Sequence, residues 1–300
     1  MNAIEIRNLS KSFRGMYAVD HLNMTVPVGA IYGFIGENGS GKSTTEKLIC
    51  GHLVPDKGKI KLFGRNFTDP GVRVRVGALI ENPGCFPGSS VYQNLMMQAI
   101  NLGLENRDAE IRRVLDIVRM GDSAGIKYKS CSLGMKQRIG IAMALLGDPA
   151  LLILDEPING LDTDGMRIMR EILVDITQNY GCTVLISSHI LGEFEKIATH
   201  YGIIRQGRMV AELSAREMDS RAQVFVSLKT RDMKGAKALL SGRFPDVRMD
   251  GGAIRVYDVS DSAAIVDFLM RSGHAVYEIT SNKIGLEEYY IELMSQKEAV

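Results

Sequence analysis

The sequence predicts an α/β fold, a mixed core sheet flanked by helices, with a helical insertion and a small C-terminal α+β appendage. Three observations predict it. Strand-like runs precede a glycine-rich loop near the start of the chain, and residues from about 88 to 147 switch to helical spacing. From Leu151 onward, buried strands alternate with amphipathic helices, the rhythm of parallel α/β architecture.

The elements follow in order. IEIRNL alternates in polarity, and LNMTVPV and AIYGFIG follow it as strands. VYQNLMMQAINLGL, AEIRRVLDIVRM and KQRIGIAMALLG carry apolar residues at i, i+3 and i+4, so the insertion is helical. LLILD, MRIMREILVDI, TVLISSH and LGEFEKIA then read as strand, helix, strand and helix. After about Leu213 the texture changes. QVFVSL, GAKALL, VRM, AIRVYD, AAIVDFLM and AVYEIT read as strand, helix, hairpin, helix and strand, with Asp250-Gly251-Gly252 as the hairpin turn. The expected division is residues 1–215 and 216–300, the second unit being an accessory domain for which a ferredoxin-like order is one arrangement.

Composition bounds the function. The chain has 300 residues, 45% apolar and 24% charged, with a net charge of +1. That balance is ordinary for a globular protein, and no global field draws in nucleic acid. MNAIEIRN has no basic region followed by an apolar stretch and reads as no secretory signal. No apolar run reaches the roughly 18 to 20 residues of a spanning helix. Cys50, Cys85, Cys131 and Cys182 lie far apart without a CxxC pair, so they read as reduced thiols rather than a zinc site.

GENGSGKST, comprising Gly36, Glu37, Asn38, Gly39, Ser40, Gly41, Lys42, Ser43 and Thr44, follows a strand and precedes a helix. It matches G-x-x-x-x-G-K-[ST] in the context that motif demands, the loop of a P-loop NTPase. The glycines let backbone N–H groups turn inward on phosphate oxygens, and the helix adds its positive N-terminal end. Lys42 supplies a mobile charge for the β- and γ-phosphates, and Ser43 a hydroxyl for Mg²⁺. In LLILDEP, Asp155 emerges at the C-terminal end of a buried strand, where a carboxylate can hold Mg²⁺. Glu156, beside it, can align the water that attacks the γ-phosphate.

CSLGMKQRIG, residues 131–140, resembles the signature of the ATP-binding cassette (ABC) family, roughly L-S-G-G-Q before a basic stretch. Ser132, Gly134, Gln137 and Arg138 match; Cys131, Leu133 and Met135 depart. The resemblance extends over about residues 3 to 213 and implies an ATP- and Mg²⁺-dependent ATPase. It further implies that Ser132 and Gly134 act on the nucleotide of a second nucleotide-binding subunit, a second copy or a close paralogue. NGLD (Asn159–Asp162) would face that subunit, His189 would contact the γ-phosphate, and Phe13, with Tyr17 as rival, would stack on adenine.

One position departs informatively. In GALIENPGCFPGSSVYQNL, Glu81 stands where the family normally has glutamine, keeping an oxygen for Mg²⁺ but adding a charge. This stretch, with SLGMKQR and the terminal GLEEYYIELM, resembles the bacitracin- and lantibiotic-type branch of exporters and self-immunity transporters. That branch implies a separate integral-membrane subunit, export of a peptide antibiotic or hydrophobic compound, and a cytoplasmic chain held peripherally on the inner face of the membrane. Against a soluble translation-type ATPase stands the single phosphate loop; against a chromosome-type one, the lack of sustained heptads in residues 45–130. A nucleotide-gated binding module without turnover would expect Glu156 to be replaced.

Overall fold

A computed structural model of the chain describes residues 1–189, 191–221, 224–259 and 261–295. Two long strands, β1 (Asn2–Phe13) and β2 (Met16–Pro27), open it as a hairpin. Next come β3 (Ile31–Ile35), α1 (Lys42–Ile49), β4 (Lys57–Leu62) and β5 (Arg65–Asn66). The strands β2-β1-β4-β5 form an antiparallel layer whose inward residues Ile4, Ile6 and Leu9 share a core with Tyr32, Phe34 and Leu48. One loop clasps this layer. The Asp56 carboxylate accepts from Lys11 Nζ (2.8 Å), Ser12 N (2.7 Å) and Ser12 Oγ (2.8 Å).

Those donors hold the Asp56 carboxyl down at about 2, against an ordinary 3.8. A depressed carboxyl stabilises the fold above its unfolded pKa, and the contribution is lost as pH falls toward the folded value. Asp56→Asn should therefore lower the melting temperature slightly at pH 7. The gap to wild type should close as the pH drops from about 4 to about 2. A gap independent of pH in thermal melts would show that the charge is immaterial.

Beyond β5 the chain runs through α2 (Pro70–Arg73), β6 (Val76–Leu79), α3 (Val91–Asn101), α4 (Arg107–Ile117), α5 (Leu133–Leu145) and β7 (Leu151–Asp155). It continues with α6 (Thr163–Gln178), β8 (Thr183–Ser188), α7 (Leu191–Phe194), β9 (His200–Arg205) and β10 (Arg208–Ser214). A six-stranded sheet has the order β10-β9-β3-β8-β7-β6, parallel except for the edge strand β10. β3 and β8 are buried at every residue and β7 at all but its last, as strands covered on both faces must be. Because β3, β7 and β8 run parallel, the loops leaving their C-terminal ends gather at one edge. The insertion helices start on side-chain caps. Ser90 and Gln93 make a reciprocal capping box on α3, and Ser132 Oγ accepts from Met135 N on α5.

The helix expected over LGEFEKIA stops at Phe194. Thr199 N already donates to Ile31 O at 2.8 Å, so the chain must turn back within four residues to enter the sheet as β9.

By contacts the chain divides into residues 1–215 and 216–300. The second unit contains α8 (Ala215–Arg221, at the junction), β11 (Val224–Thr230), α9 (Met233–Ser241), β12 (Val247–Asp250), β13 (Ala253–Tyr257), α10 (Ser262–Arg271), β14 (Val276–Lys283) and α11 (Leu286–Ser295). Its antiparallel sheet, ordered β12-β13-β11-β14, is a ferredoxin-like split arrangement. Gly251 and Gly252, both at positive φ (55° and 78°), form the two-residue turn between β12 and β13, where a side chain would strain the backbone. Gln223, the first residue of the expected QVFVSL strand, lies outside the described residues. Among the described residues no helix is long and apolar enough to cross a membrane.

Candidate nucleotide site

The loop after β3 is shaped by glycine. A Cβ at Gly36 would lie 2.5 Å from Ile204 O and 2.6 Å from Ser40 Oγ. At Gly41, with φ 109°, it would lie 2.4 Å from Ala18 O. Only glycine fits either position, and the chain curls directly into α1. Gly207 N donates to Ser40 O (2.8 Å), pinning the loop to the turn between β9 and β10. Ser43 and Thr44 stand in the first turn of α1, Glu37, Asn38 and Gly39 are exposed at the rim, and the Ser40 hydroxyl is buried without a partner among the described residues.

Lys42 is 5% exposed. Its Nζ donates to Gly36 O (2.7 Å) and Glu37 O (3.0 Å), spanning the concave side of the loop. Burial lowers its pKa, while Glu156, Asp155 and Glu46 pull the other way. The cradle, the orphaned Ser40 hydroxyl and a buried cation at a helix N-terminus together fit a polyphosphate.

The carboxylates act on this cation from the end of β7, which β8 separates from β3. Asp155 ends β7, and its Oδ1 accepts from Ser187 Oγ on β8 at 2.7 Å. Glu156 follows in the left-handed region (φ 48°), a conformation uncommon for a residue with a side chain. Its Oε2 accepts from Asn159 Nδ2 (3.0 Å), and its Oε1 lies 3.1 Å from His189 Nδ1. Glu156 N donates to Ser187 Oγ at 3.2 Å. Thus Asp155, Glu156 and His189 form one cluster, and Asn159 and Ser187 join it.

Other expected residues lie apart from that cluster. Ser132 and Gly134 line a separate cleft of about 420 Å³ with Leu133, Arg138, Gly160 and Leu161, and none of its lining residues belongs to the phosphate loop. Phe13 ends β1 45% exposed, with Lys11 Nζ 5.6 Å from its ring centre, and Tyr17 is 52% exposed. Neither ring is core. Glu81, expected as a metal ligand, sits at φ 65° with its carboxylate held by Lys47 Nζ of α1 at 2.6 Å. Lys47 lowers the Glu81 pKa by hydrogen bonding and charge.

Sequence reasoning missed Ser187 and Glu46. Ser187 reads as one more strand residue until pairing sets it opposite Asp155. Glu46 had a signal: it lies one helical turn beyond Lys42, on the inward face of TEKLIC.

A strand–loop–helix phosphate cradle with Asp-Glu at the end of a parallel strand one place removed, β8 lying between, defines a P-loop nucleoside triphosphatase. The comparisons narrow the class. The "ABC transporter" family matches residues 19–159. The bacitracin transport ATP-binding protein BcrA of Bacillus licheniformis is 36% identical over 97% of both chains. The lantibiotic transport ATP-binding protein SrtF of Streptococcus pyogenes is 39% identical over 70% of this chain and 90% of its own. Among solved structures, cbiO1 of Clostridium perfringens, part of the ABC transporter complex cbiONQ, superposes with a TM-score of 0.67 at 25% identity. It covers 73% of this chain and 91% of its own. The chain belongs to the ABC transporter ATP-binding family, and it is an ATP-binding subunit whose ATPase activity serves transport.

Proposed function

We propose that the chain is the Mg²⁺-dependent ATPase of an exporter of a peptide antibiotic or hydrophobic compound. It works as a pair of nucleotide-binding subunits on a separate integral-membrane chain, at the inner face of the membrane. One observation carries the catalytic part: Glu156 is held between His189 and Asn159, next to Asp155 and across from the buried Lys42. The relatives named for bacitracin and lantibiotic transport support the class of cargo.

In this reading the N–H groups of residues 36–44 and the α1 N-terminus hold the phosphates, with Lys42 exchanging its loop carbonyls for phosphate oxygens. Ser43 and Asp155 would hold Mg²⁺, which would supply positive charge against the phosphates. Glu156 accepts a hydrogen bond from the attacking water and orients it, and His189 steadies that carboxylate while facing the γ-phosphate. Phe13 offers its exposed ring to adenine. Ser132 and Gly134, at the N-terminus of α5, serve the nucleotide held by the second subunit. The 216–300 unit is an accessory domain.

A groove of about 370 Å³ runs between β6 and α5, lined by Arg73, Ala78, Ile80, Asn82, Pro83 and Met143 among others. It passes beside Glu81, and the membrane subunit docks there. Copurification of the tagged chain with an integral-membrane protein, and stimulation of its ATPase by that protein, test the assignment. A stable complex with ribosomes instead would reverse it. Glu81→Gln keeps an oxygen but removes the charge paired with Lys47. The isolated subunit should keep most of its ATPase and nucleotide affinity, while stimulation by the membrane subunit and export both fall. Equal loss of ATPase in the isolated subunit would make Glu81 principally a metal ligand.

A further inference from the structure

Phe13 has little around it. It ends β1 at the tip of the β1–β2 hairpin, where Arg14 (φ 50°) and Gly15 (φ 84°) make the two-residue turn to Met16. The ring is 45% exposed, and among the described residues no other aromatic ring packs against it. What does lie against it is a cation. Lys11 Nζ sits over the ring, 5.6 Å from its centre, within the range at which an aromatic face attracts an ammonium.

A surface lysine ordinarily wanders, because its four-carbon stem is flexible and its ammonium is strongly hydrated. The Lys11 side chain is only 17% exposed, and its ammonium donates to Asp56 Oδ1 at 2.8 Å. Asp56 is itself fixed. Its other carboxylate oxygen accepts from Ser12 N (2.7 Å) and Ser12 Oγ (2.8 Å), and Asp56 N donates to Ser10 O at 2.9 Å. That last bond continues the ladder in which Ser10 pairs with Lys57. The loop between α1 and β4 is thereby tied to the strand that carries the ring. The outcome is an exposed ring with one face occupied by a held cation and its remaining surface free for a planar base.

We propose that Lys11 and Asp56 are positioning residues for the adenine ring: Asp56 keeps Lys11 over one face of Phe13, and the base stacks on the other. The inference rests on the reading of Phe13 as the ring that meets adenine. Neither residue of the pair belongs to the phosphate loop, so the pair acts on the share of affinity that comes from the base.

The test compares binding of ADP with binding of inorganic pyrophosphate, which has the two phosphates and no base, by titration calorimetry in magnesium buffer. The ratio of the two affinities isolates the nucleoside. Phe13→Ala should weaken ADP about tenfold, the range for losing an aromatic that stacks on a base, with pyrophosphate within about twofold of wild type. Asp56→Asn and Lys11→Met should each weaken ADP about threefold, the scale of an exposed cation–π contact, and again spare pyrophosphate. The double variant should lose no more than either alone, because the two residues act as one unit. Lys11→Arg, which keeps a cation for both partners, should stay within about twofold of wild type. The chain has no tryptophan, so Phe13→Trp supplies a lone fluorophore at the ring. Its emission should change with ADP and not with pyrophosphate, and adding Asp56→Asn should shrink the change at saturation. An unaltered affinity ratio in Lys11→Met and Asp56→Asn overturns the proposal, provided Phe13→Ala lowers it. An unaltered ratio in Phe13→Ala overturns the reading of Phe13 and the proposal together. Equal losses for ADP and pyrophosphate in the variants of the pair make the ion pair a part of the fold alone, and a Lys11→Arg variant as weak as Lys11→Met leaves the cation no role; either overturns it.

Discussion

Glu156→Gln should reduce ATP turnover by at least about a hundredfold while leaving ATP bound and the paired state enriched. The substitution keeps the side chain's length and an oxygen. The amide can still satisfy Asn159 Nδ2 or His189, which now bracket the carboxylate at 3.0 and 3.1 Å. The fold around it should therefore persist. What is lost is the carboxylate that orients and polarises water, and removing a positioned base of this kind costs roughly 10²- to 10⁴-fold. Binding uses the loop and Lys42, which the change does not touch, so ATP accumulates unhydrolysed. Phosphate release measured beside retention of labelled ATP on a sizing column separates the two effects. Unchanged turnover in a preparation free of contaminating ATPase would remove Glu156 from the mechanism.

His189→Ala bears on the same carboxylate from its other side. His189 Nδ1 lies against Glu156 Oε1, so its loss frees one oxygen and, in the proposed reading, removes a group directed at the γ-phosphate. Turnover should fall by about ten- to a hundredfold with nucleotide affinity retained, a smaller loss than Glu156→Gln because the base itself remains. A larger loss, measured in the same assay, would make the histidine the base.

How much of this was legible from residues follows how local each feature is. The phosphate loop is nine consecutive residues whose glycines are required by close contacts, at Gly36 and Gly41, that any chain curling this way must make. LLILDEP announces itself because a strand buried on both faces has to be continuously apolar and its polar end conspicuous. The antiparallel layer was half visible. β1 and β2 are long, but KGKIKL in β4 shows only Ile60 and Leu62 to the core and carries too little alternation to stand out. Partners set by strand order stayed out of reach. Ser187 meets Asp155 because β8 inserts between β3 and β7, and Lys47 meets Glu81 across 34 residues of chain. Neither pairing has a short-range signature. The end of α7 was misjudged because apolar spacing over LGEFEKIA cannot reveal that Thr199 is already bonded to β3.

Lys42→Ala and Ser132→Arg should each abolish turnover alone, yet a mixture of the two should recover part of it. Lys42 is the buried cation spanning the loop's concave side, and no other described lysine or arginine hydrogen-bonds to the carbonyls of Gly36 and Glu37. Its loss removes the charge that, in the proposed reading, meets the β- and γ-phosphates. Ser132 caps α5 through Met135 N, and an arginine there loses the cap and fills the cleft of about 420 Å³ beside it. That cleft shares no lining residue with the phosphate loop, so one copy's signature is not built onto its own cradle. If the signature serves a second copy, each dimer has two composite sites. In a mixed dimer one site joins an intact loop to an intact signature, and the other carries both lesions. ATP-dependent pairing should return in the mixture and in neither variant by itself. Crosslinking between cysteines placed at the two faces reads pairing directly, and does so even if strong coupling between sites keeps turnover low. Were no crosslink to form although mixed dimers are present by mass, Ser132 and Gly134 would have to act within their own chain.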